Sequence, residues 1–319
     1  MRTLNAPQAP YAGLTPDLIL DAVGACGLWP DGRLLALNSY ENRVWQIGLE
    51  DAPPVIAKFY RPGRWSDAAI VEEHHFTREL ADAELPVVAA LAFDGHTLLQ
   101  HAGFRFALTP RRGGRAPELE ATDQLQWLGR LIARIHVVGA RAPFAHRGRL
   151  DRETMVQQPM QVVLASALLP ASLHTNYRAA ATRLDQAVAA RMQALEPVRS
   201  LRLHGDCHPG NVLWTDAGPH FVDFDDARTG PAVQDLWMLA NDEASMLALL
   251  EGYQQFRDFD HAELALIPAL RAMRQMHYAG WIASRWHDPA FPAGFPFAAE
   301  SRWWEQHVAD LHELADELA

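Results

Sequence analysis

The sequence predicts an α+β chain in two unequal lobes, a small N-terminal lobe built on an antiparallel sheet and a larger, mainly helical C-terminal lobe. Three observations carry this. Between residues 34 and 60 lie three short apolar runs separated by turn formers, the pattern of a strand meander. From residue 123 onward apolar residues recur at spacings of three and four, the period of one buried helix face. Between the two regimes stands Pro110-Arg111-Arg112-Gly113-Gly114-Arg115, a shift in composition suited to a hinge. With 319 residues the chain has room for both lobes, which we place at 1–110 and 111–319.

Taken in order, Thr15-Pro16-Asp17 reads as a helix start, with a hydroxyl cap, Pro at the first helical position and an acid at the positive helix end. Leu18, Ile19, Ala22 and Val23 supply its apolar face, and Gly24 and Gly27 end it. Strands follow at 34–37, 44–47 and 55–60, then a helix over 66–81 with Ala69, Ile70, Phe76 and Leu80 on one side. Two more strands are expected at 89–93 and 104–109, next to Asp94-Gly95 and Ala102-Gly103. In the second lobe Leu125, Leu128, Leu131, Ile132 and Ile135 predict a helix over 123–140. Further helices are expected at 179–195, 246–256, 263–286 and 301–318, around a strand-and-turn segment at 201–224.

Composition narrows the function classes. Lys plus Arg number 28 against 39 Asp plus Glu, for a net charge of −11, which repels a nucleic-acid backbone but leaves room for one small phosphate compound. Two cysteines, Cys26 and Cys207, cannot make a disulfide-dense secreted scaffold and suit a reducing cytoplasm. The first sixteen residues lack a signal-peptide pattern. The longest uncharged stretch, 155–177, is broken by Gln157, Gln158, Gln161, Asn176 and two prolines, a poor membrane span. The expectation is a cytoplasmic monomer with neither a membrane nor a nucleic-acid partner.

The chemistry is concentrated in His204-Gly205-Asp206-Cys207-His208-Pro209-Gly210-Asn211-Val212-Leu213 and, shortly after, Phe221-Val222-Asp223-Phe224-Asp225. The apolar residues on either side of the turn 215–220 predict a hairpin with Asn211 and Asp223 at its open end and Asp206 in the loop before it. An amide oxygen and a carboxylate together suit a hard cation such as Mg²⁺ bound to phosphate oxygens. A further carboxylate, Asp206, could orient an attacking hydroxyl and take its proton. Lys58 is the sole lysine beside 27 arginines, which suggests a need for a compact point charge at that position.

This segment resembles the catalytic loop and metal-binding strand of kinase-like phosphotransferases, H-x-D-x-x-x-x-N followed by D-F-G. The His-Gly-Asp form is similar to the aminoglycoside phosphotransferase and choline kinase branch. The stretches 37–44, 58–62, 203–213 and 225–238 look like those of bacterial stress response kinases, a resemblance that extends over residues 14–304. It implies a two-lobed protein-kinase-like fold, ATP and Mg²⁺ in the cleft, and transfer to a Ser/Thr hydroxyl of protein. Two alternatives stay open, a small-molecule alcohol acceptor and a non-catalytic ATP sensor. By resemblance Asp206 is the catalytic base, and Asp223 is a catalytic carboxylate that holds the metal with Asn211. Lys58 binds the nucleotide phosphates with a helix glutamate as its partner, Glu73 ahead of Glu72, and Ser39 approaches the nucleotide from the first strand turn.

The departures bear on mechanism. The Gly-rich phosphate loop is replaced by residues 38–42, the D-F-G glycine is Asp225, and only nine residues separate Asp225 from Asp235, too few for a long activation loop. No G-x-x-x-x-G-K-[ST] run occurs, which excludes an ordinary P-loop enzyme. A hydrolase-type metal cluster of His204, Asp206 and His208 is the competing reading of that loop. His204 is expected to fix the loop, Cys207 to fill the core, and Asp235 to cap a helix or bond to the catalytic loop. Tyr278, Trp281, Trp286, Trp303 and Trp304 read first as core, with substrate-facing roles as the alternative.

Overall fold

The computed structural model describes residues 9–319, so the first eight of the sixteen residues expected to lack a signal lie outside it. Helix α1 (Pro16–Gly24) is capped by Thr15, whose hydroxyl accepts from Leu18 N–H, with Pro in the first turn as the sequence requires. Strands β1 (Pro30–Leu37), β2 (Arg43–Leu49) and β3 (Val55–Phe59) form the meander. Helix α2 (Asp67–Asp82) follows from its Ser66 cap. Strands β4 (Leu99–His101) and β5 (Phe104–Pro110) complete an antiparallel five-stranded sheet in the order β1-β2-β3-β5-β4.

Strand periodicity separates two jobs in this sheet. Val55, Ala57 and Phe59 of β3, with Phe106 and Leu108 of β5, are buried against Ile19, Ala22 and Val23 of α1. The alternate residues Ile56, Lys58 and Ala107 face the opposite way and line a cleft. One register shift would exchange Lys58 with its core neighbours. The observed register, Val44↔Lys58 and Lys58↔Ala107, keeps the ammonium on the cleft side.

The expected strand at 89–93 does not form; the partner of β5 is β4, through the two-residue turn Ala102–Gly103 with φ 47° and 84°. Two positive φ values match the right-handed twist of a tight hairpin, so that turn dictates the pairing. Residues 89–93 instead run beside the sheet, with one bond from Leu91 N–H to the Leu108 carbonyl and a small bridge between Phe93 and His96.

Beyond Pro110 the chain crosses to the helical part, where Arg115 pairs with Trp214 through both backbone groups. Helix α3 (Thr122–Gly139) is followed by α4 (Gln158–Ala165) and α5 (His174–Ala194). Short strands β6 (Leu201–Leu203), β7 (Val212–Thr215), β8 (Gly218–Phe221) and β9 (Arg228–Gly230) frame the catalytic-type segment. Then come α6 (Glu243–Tyr253), α7 (Ile267–Arg285), α8 (Ala290–Gly294) and α9 (Ser301–Leu318). Helix α6 starts three residues before the expected 246 because Asp242 and Ser245 form a reciprocal capping box. The expected helix over 263–286 is divided: His261–Leu266 is a 3-10 turn, and Pro268 in the first turn of α7 fits a new helix start. Helix α4 and the β6–β9 pair were not expected from the sequence, which offered only an uncharged stretch for the first.

The core of this part runs through α3, α5, α6, α7 and α9, with Tyr177, Tyr253 and Trp304 fully buried. At the α3–α6 crossing the backbones nearly touch. A Cβ at Gly129 would lie 2.0 Å from the Leu249 carbonyl oxygen. Gly129→Ala is therefore expected to destabilise the protein by about 1–3 kcal/mol despite alanine's better helix propensity, read as a lower midpoint in chemical denaturation.

Candidate active site

Between the sheet and the helical part lies a cleft of about 810 Å³, lined by Ser39, Lys58, Asp206, Asn211, Asp223 and Tyr278 among others. Its floor is the loop from 204 to 211, and a buried carboxylate shapes that loop. Asp235, 1% exposed, accepts the backbone N–H groups of His204 (2.8 Å) and Gly205 (2.9 Å) and the His136 Nε2–H (3.1 Å). Of the two sequence-level expectations for Asp235, bonding to the catalytic loop is the one realised. His204 Nε2–H donates to the Val222 carbonyl at 2.9 Å, and its ring packs on Phe224 at 4.3 Å. This use of His204 rules out the metal cluster with Asp206 and His208. Gly205 has φ 86°, and a Cβ there would lie 2.1 Å from the Asp226 carbonyl oxygen, so the His-Gly-Asp form is a steric requirement of this loop.

These contacts place the sequence-predicted residues. Asn211 Nδ2 donates to the Asp206 carbonyl at 2.9 Å, which commits the amino end and leaves the amide oxygen as the donor atom for a cation. Asp223 follows β8 in the left-handed region, φ 59°, a costly conformation for a non-glycine residue and typical of functional positions. Its carboxylate is half exposed to the cleft. The Val222 N–H bond to the Asn211 carbonyl, 3.0 Å, closes the hairpin end and brings Asn211 and Asp223 together as the sequence predicts.

Lys58 Nζ donates to Asp223 Oδ1 at 2.8 Å and lies 3.1 Å from Asp225 Oδ1. Burial works to lower its pKa, but these two carboxylates outweigh that and hold it well above the usual lysine value. The expected glutamate partner is thus corrected. Glu73 is buried and lines the same cleft, yet the one basic side chain within 4.0 Å of its carboxyl among the described residues is the His74 ring at 3.7 Å, which burial and the nearby Lys58 and Arg147 keep uncharged. Burial raises the Glu73 carboxyl to about 7 against the pull of Arg147 and Lys58. Glu72 turns away and accepts the backbone N–H groups of Ala145, His146 and Arg147. Ser39 lines the cleft and its hydroxyl donates to the Asn42 carbonyl at 3.1 Å, holding the turn at 38–42 closed on itself.

Asp225, at the position of the missing glycine, ties the two parts of the molecule together. It accepts from Asn42 Nδ2 at 3.1 Å and pairs with Arg64. Burial works to raise its carboxyl, but Arg64 and Lys58 outweigh this and hold it below the usual carboxylate range. Sequence reasoning assigned roles to neither Asp225 nor Arg64, nor to Arg274, whose Nη1 donates to Asp206 Oδ1 at 2.5 Å. The second Asp206 oxygen lies 3.5 Å from His208 Nε2. Burial would raise the Asp206 carboxyl, but the His208 bond and the Arg274 charge prevail and hold it near about 2. Among the aromatics, Trp304 is core as expected, whereas Tyr278 and Trp281 line the cleft.

A single cation bound by Asn211 and Asp223 fits this geometry. Among the described residues no group of three or more His, Cys, Asp and Glu side chains is arranged to hold a metal unaided. One amide oxygen and one carboxylate suit a hard divalent ion that completes its shell with phosphate oxygens and water. Cys26 and Cys207 are free thiols, with Cys207 buried as expected of a core filler. Among the described residues no helix is long and apolar enough to cross a membrane.

The comparisons with known proteins agree with this geometry. A family model described as "Phosphotransferase enzyme family" matches residues 33–267. The chain is 43% identical over 320 residues to stress response kinase A of Escherichia coli strain K12, covering 99% of this chain and 97% of that protein. It is 43% identical over 315 residues to the serine/threonine protein kinase RdoA of Salmonella typhimurium, covering 97% of this chain and 95% of that one. Among solved structures it is similar in fold to the amicoumacin kinase hAmiN in complex with AMP-PNP and Ca²⁺, with TM-score 0.72, 20% identity and 94% of each chain covered. A microcompartment-associated aminopropanol kinase gives TM-score 0.71 at 19% identity, covering 93% of this chain and 96% of that one. A match over most of the length to the family, together with relatives this close, establishes that the chain belongs to the phosphotransferase enzyme family and is an ATP-dependent phosphotransferase.

Proposed function

We propose that this enzyme moves the γ-phosphoryl group of ATP, bound with Mg²⁺, to a Ser or Thr hydroxyl of a protein, as part of a stress response in the cytoplasm. The site assignment rests above all on the 2.9 Å bond from Asn211 Nδ2 to the Asp206 carbonyl, which holds a base and a cation ligand on one loop. The acceptor class is supported by the names of relatives 43% identical to this chain. In this reading residues 1–110 form the nucleotide-binding lobe, 111–319 the catalytic lobe, and the working unit is the monomer.

When bound, the cation neutralises charge developing on the phosphate oxygens. The chain's own groups do the rest. Lys58 trades part of its contact with Asp223 for phosphate oxygens, and Ser39 with the turn at 38–42 closes over the phosphates. Glu73 contributes a buried carboxyl group to the same cleft. Asp206 orients the acceptor hydroxyl and takes its proton as the phosphoryl group arrives.

The test is transfer from labelled ATP in the presence of Mg²⁺ to a mixture of proteins and, separately, to a pool of small alcohols. Label on protein Ser or Thr, lost on chelation of the metal, is the expected outcome. Label found only on a small alcohol would replace the acceptor, and ATP binding with no turnover would leave a sensor. The small-molecule reading has one observation in its favour, the His-Gly-Asp form of the loop.

A further inference from the structure

The acceptor side of the cleft carries a charge pattern that the transfer reaction does not account for. Helix α7, which supplies Leu270, Arg274, His277, Tyr278 and Trp281 to this wall, has three arginines and no acidic residue, in a chain with a net charge of −11. Two other arginines of the wall have acidic partners of their own. Arg64 pairs with Asp225 and Asp226, and Arg228 with Asp226 at 2.7 Å. Arg274 differs: its acidic contact among the described residues is Asp206 itself, at 2.5 Å, and its side chain is 45% exposed.

This contact occupies the base. An acceptor hydroxyl must come within about 2.6–3.2 Å of an Asp206 oxygen to hand over its proton. Oδ1 is taken by Arg274, and Oδ2 faces His208 at 3.5 Å. An acceptor hydroxyl therefore competes with Arg274 for Asp206, and how far Arg274 gives way depends on the acceptor. A neutral acceptor breaks the ion pair and replaces nothing. A cationic acceptor adds like-charge repulsion. An anionic group beside the hydroxyl gives Arg274 a new partner and so offsets the loss.

A second feature points the same way. Arg274 and Tyr278 also wall an adjoining groove of about 230 Å³, together with Trp237, Arg271 and Gln275. Arg271 lies one helical turn before Arg274 on the same face, 53% exposed and only loosely matched by Glu317 at 3.8 Å. An acceptor leaving the cleft past Arg274 thus meets a second guanidinium.

We propose that Arg274 is the specificity-determining residue of the acceptor site. It selects hydroxyls that carry an anionic group close by, a Ser or Thr flanked by acidic residues, and that group draws Arg274 off Asp206 and frees the base. The acceptor O–H bond then breaks with its proton passing to Asp206, the new O–P bond forms, and the bond from phosphorus to the departing ADP oxygen breaks. This rests on the assignment of Asp206 as base and of a protein hydroxyl as acceptor.

The experiment compares kcat/KM for matched Ser peptides with acidic, neutral or basic flanking residues, for the native enzyme and for Arg274→Lys, Arg274→Gln and Arg274→Glu. The native enzyme should prefer the acidic over the basic peptide by about tenfold, the scale of one exchanged ion pair. Arg274→Lys should keep the order, Arg274→Gln should flatten it, and Arg274→Glu should invert it. Inversion is a readout that a merely structural arginine would not give. A native enzyme indifferent to flanking charge, or a preference that survives Arg274→Gln, overturns the proposal. If no peptide is phosphorylated, the protein-acceptor reading fails on its own. Hydroxy acids and phosphate-bearing alcohols against amino alcohols then decide the charge preference, and transfer to none of them overturns it too.

Discussion

Asp206→Asn is expected to lower kcat by roughly 10²–10⁴-fold, the usual worth of a positioned general base, while ATP still binds and protects against unfolding. The substitution preserves shape, so the Asn211 bond to the backbone carbonyl of residue 206 and the Asp235 bonds to 204 and 205 are kept. The substitution removes the ability to accept a proton and the charge opposite Arg274, while the Lys58 contacts with Asp223 and Asp225 are untouched, so the loss belongs in kcat rather than in nucleotide affinity. Single-turnover transfer from labelled ATP measures it. A variant that transfers at the native rate would place the base elsewhere. The pH dependence has a definite sign. With its carboxyl held at about 2, Asp206 is ionised throughout the neutral range, and its own titration takes no activity away there. The stability it gains from Arg274 and His208 is present above the ordinary carboxylate pKa and is lost as the pH falls toward about 2.

Asp235→Ala is expected to cost about 3–5 kcal/mol, because it removes one partner of a fully buried set and leaves the others unpaired. Two backbone N–H groups and the His136 imidazole would lose their acceptor at a site 1% exposed. The effect spreads to α6, since His136 Nδ1 accepts from Tyr253 Oη at 2.9 Å. Thermal or urea unfolding reads the stability loss. Activity measured well below the new midpoint should also fall, because the loop bearing Asp206 loses its anchor. An unchanged midpoint would mean that water or a repacked side chain satisfies the donors.

What could be read in the sequence was what is local in the chain. The hairpin that joins Asn211 to Asp223, the strand phase that turns Lys58 to the cleft and the caps at Thr15 and Ser66 each depend on residues within a few positions of one another. The choice of partner across long separations was not legible in that way. The Lys58 ammonium sits near one buried glutamate and two aspartates, and the structure pairs it with Asp223 and Asp225, 165 residues on in the first case. Arg274 reaches Asp206 across 68 residues from a helix whose sequence reads only as amphipathic. The strand at 99–101 is not legible because the two-residue turns at 94–95 and 102–103 offer competing registers and the apolar run at 89–93 suits either. Helix α4 is not legible because its eight residues include Pro159 and give a weak period.

The single lysine has a practical consequence for anyone handling this protein. An amine-directed reagent has one side chain to find, and that side chain is 17% exposed and clasped as an ammonium between two carboxylates. Apart from the chain's own amino terminus, intact mass after acylation becomes a direct count of how often the Lys58 clasp opens. The same count, taken with and without nucleotide, would report cleft occupancy without a radioactive tracer or an attached dye.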